Sequence, residues 1–115
     1  MGKRILIVED EAVAALALER TLEELGYEVL GSVATGEDAL KRAATDGPDI
    51  VVMDIRLAGR MDGIDAAAKI RDSTGAQIIF MTGYDDEETK RRALALKPLG
   101  LMSKPIDKDE FEKYK

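Results

Sequence analysis

The sequence predicts an α/β fold: a parallel sheet with helices on both of its faces. Three observations carry that prediction. Short β-branched runs alternate strictly with longer segments of helical period, five times over. The run "RILIV" shows no apolar–polar alternation, as expected of a strand buried on both faces, and "DIVVMD" and "AQIIFM" read as further strands. Turn residues separate the units, and no low-complexity linker interrupts them. With 115 residues, 45% of them apolar and 35% charged, the chain reads as a single domain over residues 1–115.

Arg4–Val8 is the first strand. From Glu11 to Leu25, Ala14, Leu18, Leu22 and Leu25 recur at helical spacing, and Gly26 supplies a stop. "YEVLGSV" is the second strand. "TGEDALKRAATDG" is the second helix, with Thr35 as N-cap and Gly47-Pro48 as terminator. "DIVVMD" follows as a strand and "IRLAGRMDG" as a loop. Ile64–Asp72 is a helix with Ile64, Ala67 and Ala68 on one face. After "AQIIFM", Asp85–Leu96 forms a fourth helix, capped by Asp85 with Glu88 in the capping-box position. Lys97, a cation at the carbonyl end, and Pro98 close it. Leu101–Ser103 is a fifth strand, and "DKDEFEKYK" opens a last helix that is short or truncated.

Composition narrows the function. A net charge of −6 leaves no basic footprint for phosphate backbones, which argues against direct nucleic-acid binding. The absence of Cys and His removes disulfides, thiolate or imidazole metal sites, and imidazole bases. No apolar run is long enough to span a membrane, and "MGKR" does not read as a signal peptide, so a cytoplasmic location is expected.

Ligands of open α/β sheets bind beyond the carboxyl ends of the strands. Those ends carry Glu9-Asp10, Asp54, Thr82-Gly83 and Ser103-Lys104. Singly, each has a plain structural explanation, as a helix cap or a solvated charge. Together they place carboxylates, a hydroxyl and an ammonium at one edge. Two carboxylates about 5 Å apart repel by roughly 3 kcal/mol at an effective dielectric near 20. A hard divalent cation, Mg²⁺ above all, relieves that repulsion with few carboxylates and several waters. A lysine binds phosphate as a point charge. Metal, lysine and hydroxyl around one carboxylate make a phosphoryl-transfer site with that carboxylate as nucleophile.

The stretches "ILIVEDE", "ATGEDAL", "VVMDIRL", "MDGIDAA" and "MSKPI" stand in order at these strand ends. In this the whole chain resembles the receiver domain of two-component response regulators, of the chemotaxis-regulator type. The resemblance implies a flavodoxin-like five-stranded sheet of order 2-1-3-4-5. It implies that Asp54 accepts a phosphoryl group from the phosphohistidine of a sensor histidine kinase. Asp10, Asp54 and the backbone carbonyl of Arg56 would hold Mg²⁺, with Glu9 acting mostly through a water. Thr82, Gly83 and Lys104 would bind phosphoryl oxygens, Gly83 by letting the backbone approach the ligand. The Lys104-Pro105 peptide would be cis. Such a domain is a phosphoprotein switch rather than a turnover enzyme, catalysing only its own phosphorylation and dephosphorylation. Its downstream effector is not legible, and the expected state is a monomer or weak homodimer.

Two positions depart from the family pattern. The aromatic residue usual three positions before the lysine is replaced by Leu101, read as core packing. "FMTGYDDEE" partly matches the receiver subset with a Phe-Ala-Thr-Gly-Tyr/Gly stretch, which makes Tyr84 either the alternative switch or a plain loop residue. The loop after Asp54 is one residue longer than usual and lacks its proline, and Arg56 and Tyr84 flank the path of an attacking water, so hydrolysis is expected to be hindered. Three other readings compete. A non-phosphorylated receiver-like scaffold would not need the full acidic, hydroxyl and lysine set. A haloacid-dehalogenase-type Mg²⁺ phosphatase would need a general acid where Arg56 stands. A dinucleotide-binding domain would need a GxGxxG after the first strand, which is missing.

Overall fold

The computed structural model describes residues 2–57, 59, 61–83, 86–104 and 106–114. Five strands and five helices alternate: β1 Arg4–Val8, α1 Ala12–Glu24, β2 Glu28–Val33, α2 Gly36–Asp46, β3 Ile50–Asp54, α3 Gly63–Thr74, β4 Gln77–Thr82, α4 Glu87–Ala95, β5 Gly100–Ser103 and α5 Lys108–Glu112. All strand pairs are parallel and the order is β2-β1-β3-β4-β5. The flavodoxin-like doubly wound fold is therefore the one expected. No helix among the described residues is long and apolar enough to cross a membrane.

Strand parity divides the interior in two. Leu6, Val8, Val51, Met53, Ile78 and Phe80 face one core, with α2, α3 and Ala93 of α4. Ile5, Ile7, Ile50, Val52, Ile79, Met81 and Met102 face the other, with Leu18, Leu22 and Phe111 of α1 and α5. β1 and β3 are apolar without alternation because each face meets a helical layer. The edge strand β2 is only half-buried beyond its first residue. Its pairing slips at Leu30, whose carbonyl accepts instead from the Arg42 guanidinium at 2.9 Å.

Several helix details differ from expectation. The buried face of α1 is carried by Ala15, Leu18 and Leu22, with Ala14 half-buried. In α3 the buried face is Gly63, Ile64, Ala66, Ala67 and Ile70; Ala68 is half-buried. That helix also runs two residues past Asp72, to Thr74, and ends on left-handed Gly75. The cap of α4 is Asp86, not Asp85: its carboxylate accepts from Thr89 N–H at 2.8 Å, and this bond leads the lowering of its pKa. "DDEE" offers two aspartates in succession, and local sequence does not choose between them. Thr35 and Gly47 cap α2 as expected, with Thr35 Oγ1 accepting from Asp38 N–H at 3.1 Å. After α4, Lys97 adopts φ of 53°, so a left-handed backbone as well as charge closes the helix.

Candidate functional site

At the C-terminal edge of the sheet the backbone ladder continues past the strands. Glu9 N–H donates to Val33 O at 2.9 Å, Ile55 N–H to Met81 O at 3.1 Å, and Lys104 N–H to Thr82 O at 2.8 Å. Glu9, Asp54 and Lys104 therefore stand on backbone pinned to a neighbouring strand. In strand parity, Glu9, Asp54 and Lys104 lie on the α1/α5 side, and Thr82 on the α4 side. β1 and β3 are also where the order reverses, the usual ligand position of this topology.

The predicted residues converge. Lys104 Nζ donates to Glu9 Oε1 at 2.7 Å and to Asp54 Oδ2 at 2.8 Å, bridging residues 95 and 50 positions apart. The second oxygens are also held: Asp54 Oδ1 accepts from Arg56 N–H at 3.1 Å, and Glu9 Oε2 from Glu11 N–H at 3.2 Å. Glu9 and Asp54 are almost fully buried, at 4% and 5% exposure. Asp10 is exposed, and one oxygen from each of Glu9, Asp10 and Asp54 lies within 4.8 Å of the others.

Burial acts to lower the Lys104 pKa, but hydrogen bonds to Asp54 and Glu9 and their charges outweigh it, so the ammonium titrates above its ordinary value. Its pairing stabilises the fold fully below the ordinary lysine pKa of about 10.4 and is lost as pH rises through the raised value.

This cluster suits a hard cation. Three carboxylates meet, two of them buried and one open to solvent, with a single ammonium between the buried pair. Thr82 supplies an independent sign of a ligand. It is 2% exposed, and its Oγ1 is buried without a hydrogen-bond partner among the described residues. Buried hydroxyls are normally satisfied, and an oxygen ligand at the strand end would satisfy this one. Among the described residues Glu37 Oε1, beside Gly59 of the loop after Asp54, is the other such atom.

Two glycines behave differently from one another. A Cβ on Gly83 would meet nothing within 4 Å, so packing does not demand glycine there. Gly83→Ala is expected to leave thermal stability within about 0.5 kcal/mol of wild type, checked by denaturant unfolding. Gly63, by contrast, abuts the backbone carbonyl of Asp54, and its own N–H donates to Ile55 O at 3.0 Å. Sequence reasoning had no role for Gly63. The signal was the "MDG" turn placed just before a helix, with the close partner nine residues away.

Leu101 is half-buried and packs against the α2–α4 core, in line with the packing role expected of it. Tyr84 and the Lys104-Pro105 peptide lie outside the described residues.

Residues 5–114 match the family described as the response regulator receiver domain. The chain belongs to that family. Chemotaxis protein CheY of Thermotoga maritima is 43% identical over 107 residues, covering 92% of this chain and 88% of CheY. The transcriptional regulatory protein PdtaR of Mycobacterium tuberculosis is 36% identical over 104 residues, 90% of this chain and 50% of PdtaR. The chain thus spans about half the length of PdtaR, as it does of PhoP of Bacillus subtilis, at 45%. A solved receiver domain of a modulated diguanylate cyclase from Desulfovibrio desulfuricans superposes with a TM-score of 0.93 at 40% identity, covering 98% of this chain and 90% of that one. This receiver domain is homologous to those of response regulators.

Proposed function

We propose that this receiver domain is a phosphorylation-activated switch in which Asp54 is the phosphoacceptor. The observation that supports it most is the bridge from Lys104 to the buried Asp54 and Glu9, with Asp10 beside them and the Thr82 hydroxyl unpartnered. An Asp54 carboxylate oxygen attacks the phosphorus of a phosphohistidine on a sensor kinase. The new P–O bond forms as the P–N bond breaks, and the imidazole leaves with the bonding pair and takes up a proton. Glu9, Asp10, Asp54 and the Arg56 carbonyl would hold Mg²⁺, which supplies charge neutralisation at the transferring phosphoryl group. Lys104, now paired to Asp54 Oδ2, neutralises a phosphoryl oxygen, and Thr82 Oγ1 donates to another. Gly83 leaves room for that approach. Phosphorylation then changes contacts with a downstream effector.

Arg56 is held by its N–H to Asp54 and its side chain is exposed, consistent with its shielding the acyl phosphate from water. Incubation with acetyl phosphate and Mg²⁺, read by intact-protein mass spectrometry, is expected to add one phosphoryl group. The addition should vanish with EDTA and in Asp54→Ala. No addition with Mg²⁺ present would favour the unphosphorylated scaffold instead.

A further inference from the structure

α4 is the helix least embedded in the body: Ala93 is its one buried residue among those described. Side chains of α3 tie it down at two points. Arg71 Nη1 donates to Leu96 O at the C-terminal end of α4. Within α4, Arg92 Nη2 donates to Asp62 Oδ2 at 3.3 Å and lies 3.5 Å from Asp65 Oδ1. The two acids are the N-cap and first turn of α3. Next to Asp62 stands Gly63, against the Asp54 carbonyl and bonded to Ile55 O. The phosphoacceptor backbone, the start of α3 and Arg92 thus form one contiguous chain of contacts. Arg91 is not part of it, because it pairs with Glu88 of its own helix at 2.8 Å.

We infer that Arg92 is a latch joining α4 to the Asp54 end of α3, and that movement of the Asp54–Gly63 segment reaches α4 through it. The second half rests on the phosphoacceptor reading above. Leucine at position 101 has no polar edge with which to signal, whereas a guanidinium held by two carboxylates does. The latch groups are 42–59% exposed, so salt screens them and the link is weak enough to open.

Amide hydrogen exchange tests the latch, on wild type, Arg92→Met, Asp62→Asn and the double variant. Asparagine keeps the helix cap, so Asp62→Asn removes charge alone. In the free protein, Arg92→Met is expected to speed exchange in α4 about two- to fivefold, the range of an exposed ion pair, with α1 unchanged. Asp62→Asn should add little to it. Equal α4 exchange in wild type and Arg92→Met overturns the latch. Beryllofluoride with Mg²⁺ then serves as phosphoryl mimic. A smaller α4 response in Arg92→Met than in wild type supports transmission. Protection around Asp54 with identical α4 responses overturns transmission and leaves the phosphoacceptor reading intact. No protection around Asp54 in either protein removes that reading and transmission with it, while the free-protein comparison still decides the latch.

Discussion

Gly63→Ala is expected to destabilise the domain by about 2–3 kcal/mol. A methyl group at this position would overlap the Asp54 carbonyl oxygen and come within 2.9 Å of Ile55 Cα. Both neighbours are backbone atoms, so no rotamer relieves the overlap; the end of β3 or the start of α3 must move. Overpacking of this kind costs typically 1–3 kcal/mol, occasionally more. Gly63 is the first residue of α3, outside the helix interior, so replacing glycine gains little helix propensity to offset that cost. For a domain of this size the melting temperature should fall by about 8–15 °C. Because the displaced atom belongs to Asp54, phosphorylation by acetyl phosphate should slow as well. Gly83→Ala is the matched control, since its Cβ points into open space. Equal stability of the two variants would show that the Asp54–Gly63 contact does not constrain the fold.

Lys104→Met should have an effect of similar size for a different reason. It leaves Glu9 and Asp54, nearly buried, without the ammonium that joins them. Breaking a fully buried pair costs about 3–5 kcal/mol. Lys104 is 31% exposed in its side chain, which reduces the expected loss to about 2 kcal/mol at neutral pH. The loss should shrink on adding Mg²⁺, because a cation bound only by the folded state raises its stability. Thermal melts with and without Mg²⁺ check this: the rise should be larger in Lys104→Met than in wild type, where lysine competes for the same oxygens. Equal rises would mean that the metal and the lysine do not share these carboxylates.

Much of the fold was legible because its signals are local. Residues 5–8 are an unbroken apolar run, and β1 forms over Arg4–Val8 as expected. Thr35 and Gly47 bracket α2 by side-chain capping and by a left-handed glycine. The strand-end rule alone puts Glu9, Asp10, Asp54, Thr82 and Lys104 at one edge. What stayed hidden depends on distant or degenerate partners. That Glu9 pairs directly with Lys104, 95 residues away, has no local signature. The Gly63 contact is a matter of backbone packing, not of composition. α3 carries three consecutive alanines, so Ala66, Ala67 and Ala68 score alike for a buried face, and only docking on the sheet separates them. Asp85 and Asp86 are equivalent as caps until the loop before them is folded. The pairing of Arg92 with Asp62, 30 residues away, has no local signature either.

The central claim is that Asp54, among several neighbouring acids, takes the phosphoryl group. Borohydride reduction of the phosphorylated protein, followed by peptide mapping, tests it most directly, because an aspartyl phosphate is reduced to homoserine at the modified position. Homoserine at position 54 in wild type is predicted, with none at Asp10 and no modification elsewhere in Asp54→Asn. Homoserine at Asp10, a phosphoryl group retained on Thr82, or undiminished labelling of Asp54→Asn would contradict the account.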